Sequence, residues 1–358
     1  MRELFSTGVR RRGRSLKTSM RLARRLLALA SLVLLSAAGP ASAAEELRIG
    51  TLAPRDSVWG KVFTAWSASV LQESGGALKL SFYFAGSQGD EPTLVGKVRR
   101  KELDGAALGG TGLSAFAPSV AVLELPGLFG SWTKLDKGRN ALRAALDEEF
   151  EKGGVRLLAE GELGTARLFS REKPVHTPDD LRRMHPFLLS GDVIGKAFLD
   201  SLGLRPPSIV VQQILPALLP EPRAPAPGAA RIPHVDVLFT TALVLSALRL
   251  EDLIEYVNPQ PTGYSVGGIV VGAGRFAALP PEARAILRRT ALSASSLLSQ
   301  RVRAADDLAY QRLRTEKKVV DLTDAQRVEW AAASLRLRLA LRSSLRADLV
   351  DAAVAAAQ

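Results

Sequence analysis

Two rhythms of apolar and polar residues alternate along the chain from Leu47 onward. Leu47-Arg48-Ile49-Gly50 alternates residue by residue, as a strand does, and Leu78 to Phe84 repeats that pattern with aromatics. Between them Val58, Val62, Phe63, Trp66 and Val70 recur at helical spacing, with Ser57 as N-cap and Gly75-Gly76 as the stop. Pro92 to Arg100 reads as a second helix. Asp104 to Leu108 is a small-residue strand running into Gly109-Gly110-Thr111-Gly112. A helix over about Lys134 to Lys152 and a strand over Val155 to Ala159 follow. This order predicts an α/β fold with a largely parallel sheet.

A second unit repeats the rhythm. Ala166 to Ser170 is a strand, and Thr177-Pro178 opens a short helix with Pro at its first position. Pro186 to Leu189, Gly191 to Leu202 and Val235 to Phe239 read as strand, helix and strand. Residues 216–233 interrupt this with Pro216, Pro220, Pro222, Pro225, Pro227 and Pro233, which excludes a continuous helix and predicts an irregular surface loop. Tyr264 to Gly272 is an apolar strand. The rest is helical, from Pro280-Pro281-Glu282 to about Lys318 and again after Thr323, which stands in capping-box register with Gln326.

The 358 residues suffice for two domains or one large one, and 47% hydrophobic against 23% charged residues excludes wholesale disorder. There is no cysteine, hence no disulfide, thiolate site or lipid-modified cysteine. Three scattered histidines give no reason to expect a His-based metal site. The net charge of +12 is mostly terminal: nine basic residues and one acid fall in 1–43 and supply eight of the twelve charges. The remainder is too weakly basic to imply nucleic acid as a partner.

Arg21, Arg24 and Arg25 precede the apolar run Leu26 to Leu35, and Ala41-Ser42-Ala43-Ala44 follows. That is the order of a secretory signal peptide over 1–43, cleaved near Ala43/Ala44, with a start at Met20 as an alternative. An uncleaved anchor and a twin-arginine signal built on Arg10-Arg11-Arg12 are the other readings. The signal predicts a periplasmic protein that is not a lipoprotein.

Enzyme signatures such as G-x-S-x-G, H-E-x-x-H and the P-loop are absent from the sequence. Gly267 to Gly274 reads as a strand ending in a tight turn. Gly109-Gly110-Thr111-Gly112 reads either as amides offered to a ligand at a strand end or as a turn needing positive φ. Glu160 and Glu162 are expected to be solvated loop carboxylates. Leu335 to Arg342 reads as a solvated helix face, with a membrane or permease contact as the alternative.

In order, several stretches resemble the DctP-type substrate-binding proteins of TRAP (tripartite ATP-independent periplasmic) transporters. They are Leu47 to Pro54 with Trp59, Phe84-Ala85-Gly86-Ser87-Gln88-Gly89, Glu124 to Phe129, Arg171 to Leu181, Asp192 to Leu204, Tyr264-Ser265, and Leu279 to Glu282. The resemblance implies a two-lobed α/β fold with a ligand cleft between the lobes and long C-terminal helices. Lobe I would comprise 44–163 and 262–303, and lobe II 164–261 and 304–358. It implies no catalysis and no cofactor or metal. The implied partners are a small organic solute and membrane permease subunits, and a monomer is expected.

The departures from the family shape the expected site. The position of the family's carboxylate-binding arginine falls at Phe187, and its polar "VDGQENP" run has become Val235-Asp236-Val237-Leu238-Phe239-Thr240-Thr241. A second family arginine falls at Ala166, one residue before Arg167, and on a strand that offset points to the other face. A cleft without a carboxylate clamp follows, suited to an aromatic or weakly polar solute. Trp59, Phe187, Thr240 and Tyr264 are expected to line it, with Gln88, Thr111 and Asp192 as polar contacts. Arg167, Phe129 and Leu238 are further candidates. The rival readings are a sensor or scaffold on this fold that docks a membrane partner without transport, and a hydrolase on an α/β scaffold.

Overall fold

The computed structural model describes residues 44–219 and 232–358. The signal-peptide reading and most of the Pro-rich loop lie outside the described residues. Pro216, however, sits in the last turn of a short helix, α6 (Val211–Leu218), which the proline count had placed in an irregular loop. A proline there removes one internal N–H bond near a C-terminus, where the helix ends anyway.

Strands β1 (Glu45–Thr51), β2 (Leu78–Tyr83), β3 (Gly105–Gly109), β4 (Val155–Ser170), β7 (Val237–Thr241), β8 (Tyr256–Val257), β9 (Gly263–Gly272) and β10 (Lys318–Val319) form one sheet. Its order is β10-β8-β4-β9-β3-β1-β2, with β7 paired to the far half of β4. β5 (Leu188–Leu189) and β6 (Ser208–Ile209) make a separate parallel pair. The sheet is mixed, not largely parallel. β1 is parallel to β2 and β3, but β9 runs antiparallel to both β3 and β4, and β7 is antiparallel to β4. The helical rhythm could signal crossovers but not the long return that brings β9 back between β3 and β4.

The two strands expected at Val155–Ala159 and Ala166–Ser170 are one strand, β4, of 16 residues. It pairs with β9 over its first part and with β7 and β8 at its end, and its register shifts between Glu162 and Gly164. Gly164 takes φ +135 there, and a Cβ would lie 2.5 Å from the Asp306 carboxyl carbon. Both the bulge and the close approach require glycine.

Helices α1 (Val58–Glu73), α2 (Glu91–Arg99), α3 (Gly110–Ser114), α4 (Trp132–Lys152), α5 (Val193–Ser201), α7 (Ala242–Ala247), α8 (Ala273–Ala278), α9 (Pro281–Glu316), α10 (Asp324–Leu341) and α11 (Ala347–Ala357) cover the sheet. α9 has 36 residues, about 54 Å at 1.5 Å rise per residue, enough to cross the whole sheet. Near its middle, Leu298 and Val302 pack with α1, β1 and β2. Further along, Tyr310 and Leu313 pack with α6, α7 and β8. On the opposite side α4, α10 and α11 enclose a third cluster around Phe150, Leu337 and Ala353. The α10 N-cap is the expected box: Thr323 Oγ1 accepts from Gln326 N at 3.3 Å and Gln326 Oε1 from Thr323 N at 2.9 Å.

Candidate functional site

A cavity of about 360 Å³ opens where β1, β3 and β7 end, beside the middle of β4 and the first half of β9, against the starts of α2, α5 and α7. Trp59 closes one wall. It is 9% exposed, and its indole N–H donates to the Glu162 carbonyl at 2.8 Å, which fixes the ring against β4. Phe187, Phe239, Tyr264 and Trp330 line other walls. Tyr264 is held from behind by Trp132, whose ring centroid lies 4.3 Å away.

Three carboxyl groups reach this space from three elements. Glu91 opens α2 and accepts from the amides of Gly109 (2.6 Å) and Gly112 (2.8 Å). Glu124 ends a 3₁₀ turn over Pro118–Glu124 and accepts from Val266 N (2.8 Å) and Ser265 Oγ (3.3 Å). Asp192 caps α5, accepting from Gly195 N at 2.8 Å. Burial pushes all three above the usual carboxylate range, and their amide donors only partly offset it. Glu124 is pushed up to about 8, first by burial, with the charges of Asp192 and Glu91 adding to it.

The glycine-rich turn takes a role neither sequence reading foresaw. Its amides are already donated to Glu91, and none of its glycines has positive φ. Glycine is required for space: a Cβ on Gly110 would lie 2.2 Å from Glu124 Oε2, and one on Gly112 2.8 Å from Glu91 Oε2.

Glu160 and Glu162 are not solvated loop carboxylates, because β4 runs unbroken through them. Their shared face meets α4 and α9. Glu162 is 1% exposed and pairs with Arg139 at 2.7 Å and Arg303 at 2.5 Å, while Glu160 pairs with Arg143 at 2.7 Å. Arg303 also grips Asp136 with both terminal nitrogens and lies 4.7 Å from the Trp132 centroid.

Of the residues picked out in the sequence, Trp59, Thr111, Phe187, Asp192, Leu238, Thr240 and Tyr264 line the cavity. Gln88 does not; its Oε1 accepts from Lys97 Nζ at 2.9 Å. Phe129 is core, with its ring 2.5 Å from where a Gly138 Cβ would stand. Arg167 lies over the Tyr310 ring at 3.6 Å, while Ala166 lines the cavity. Among the described residues lining it there is no lysine, arginine or histidine.

Glu91 and Glu124 were missed. Glu124 did carry a signal: it is the single charge between Pro118 and Trp132 in an otherwise apolar stretch. The scattered histidines are also closer than the sequence suggested. His185, His234 and Asp236 hold their potential ligand atoms within 4.8 Å of one another, and His185 Nδ1 is 3.1 Å from Asp236 Oδ2. That trio lies outside the cavity lining.

A mixed sheet crossed by one long helix, with an aromatic cavity at the strand ends, is the architecture of two-lobed solute-binding proteins. Residues 49–219 match the family described as bacterial extracellular solute-binding protein, family 7 (DctP). Over that segment the chain resembles the substrate-binding proteins of TRAP transporters. Over 130 residues it is 26% identical to the C4-dicarboxylate-binding protein DctB of Bacillus subtilis strain 168, a stretch that spans 36% of this chain and 37% of that one. A TRAP periplasmic solute-binding protein from Ralstonia eutropha H16, bound to (S)-2-acetolactate, superposes with a TM-score of 0.75 at 22% identity, covering 87% of this chain and 98% of that chain. A sugar acid binding protein from Advenella mimigardefordensis in complex with galactonate gives 0.78 at 16% identity, covering 88% and 98%. A Shewanella oneidensis TRAP protein with bound succinate gives 0.78 at 16%, covering 88% and 100%.

Proposed function

We propose that the chain is a periplasmic receptor that captures one small organic solute in this cavity and delivers it to TRAP-type permease subunits, without catalysing a reaction. The observation that carries this is the cavity itself, walled by aromatic rings with a few placed polar groups, as solute pockets require. The lobe division read from the sequence places a boundary at residues 163/164, and the β4 register shift between Glu162 and Gly164 supports a hinge there. The export signal over 1–43 fits a periplasmic location. The related structures hold succinate, galactonate and acetolactate. Here the family's arginine positions carry Phe187 and Ala166, so the usual carboxylate clamp is not part of this reading.

A thermal-shift screen of the purified chain against several hundred small organic solutes tests the proposal. A narrow chemical group raising the midpoint by several degrees is expected. A folded protein indifferent to every solute contradicts a receptor role and favours the sensor or scaffold reading.

A further inference from the structure

We propose that the cavity selects an organic cation, a small solute carrying a protonated or quaternary nitrogen on an apolar body. This rests on the receptor reading above and names its ligand class. The start of α2, the end of the 3₁₀ turn and the cap of α5 each send a carboxyl group to one space. All three residues line the same cavity. Among the described residues none of the three is paired with a basic side chain; their hydrogen-bond donors are backbone amides and one hydroxyl.

An anionic solute entering here would lose its water among buried carboxyl groups, and no basic side chain is among the described residues lining the cavity to meet it. A cationic solute would supply the missing counter-charge. The aromatic walls suit the same class: Trp59, Tyr264 and Trp330 line the space, and aromatic rings both attract a cation and cover an apolar body.

Isothermal titration at pH 8 with four probes decides the matter: choline and putrescine as cations, succinate and galactonate as anions. Choline or putrescine is expected to bind, and Glu124→Gln to weaken that binding about tenfold or more, as loss of a charge-assisted contact does. Asp192→Asn serves as a second variant, and circular dichroism checks that both fold. Binding of succinate or galactonate with both cations silent overturns the charge assignment while leaving the receptor reading standing. Silence of all four probes also overturns it, and the thermal-shift screen then judges the receptor reading alone. Cation binding that survives both substitutions unchanged removes the carboxyl groups from the account.

Discussion

Glu124 accepts the Val266 amide at 2.8 Å, which ties the turn after Leu123 to β9 inside the cavity wall. The bond anchors one carboxylate oxygen and leaves the other directed past Gly110, where even a methyl group would not fit. The carboxyl is held by structure, yet among the described residues no basic side chain pairs with it.

That arrangement sets a pH dependence. The Glu124 pKa is raised from 4.5 to about 8 in the folded chain, so the folded state holds a proton that the unfolded state releases in this window. Stability therefore falls as pH rises from about 4.5 to about 8 and levels off above it. Glu91 and Asp192, raised by burial as well, act in the same sense; Asp90 and Tyr264 also line the cavity, and Arg338 donates nearby to the Pro126 carbonyl. Thermal melts of the ligand-free chain should give a midpoint several degrees higher at pH 5.5 than at pH 8. Glu124→Gln should flatten that slope.

The Arg139–Glu162–Arg303 cluster is structural in this account. Glu162→Ala would strand Arg139, which is 5% exposed, without its partner. Urea unfolding should show a loss of about 3–5 kcal/mol, the usual cost of an uncompensated buried charge. Arg143→Ala, which breaks the more exposed pair with Glu160, should cost no more than about 1 kcal/mol.

Glycine spacing gives a steric test. Gly110→Ala must displace the Glu124 carboxyl, and about 1–3 kcal/mol of destabilisation is expected from overpacking. Solute binding should fall with it. Gly274→Ala in α8 meets nothing within 4 Å and should stabilise the chain by about 0.4–1 kcal/mol through the unfolded state. Urea melts of the pair separate the two cases.

Arg167 and Phe187 exchange the roles their residue types suggest. Arg167→Ala should leave solute affinity within about twofold and cost about 1 kcal/mol of stability through the lost Tyr310 contact. Phe187→Ala should weaken binding, since the residue lines the cavity, and should also cost stability through its packing against the cluster around Ile209 and Ile214. Titration and unfolding of both variants check this. Succinate binding abolished by Arg167→Ala but untouched by Phe187→Ala contradicts the assignment.

Most elements were legible because their signals are local. The Ser57 cap, the Thr323–Gln326 box and the 3.6-residue rhythm of α1 need only neighbouring residues. The unbroken β4 was not legible, because Glu160 and Glu162 look like a loop until Arg139 and Arg303 arrive from α4 and α9. The site divided the same way. Aromatic and family-aligned positions such as Trp59, Phe187 and Tyr264 could be picked out, whereas the convergence of Glu91, Glu124 and Asp192 exists only in three dimensions. Arg167 shows the pleat at work: one residue of offset carries it from the cavity face to Tyr310.

Native mass spectrometry of the purified chain, after incubation with small-molecule extract from the source cells, tests the central claim most directly. A single adduct of a few hundred daltons, lost in Phe187→Ala, is the result predicted for a solute receptor. A folded chain that carries no adduct across repeated extracts would contradict it.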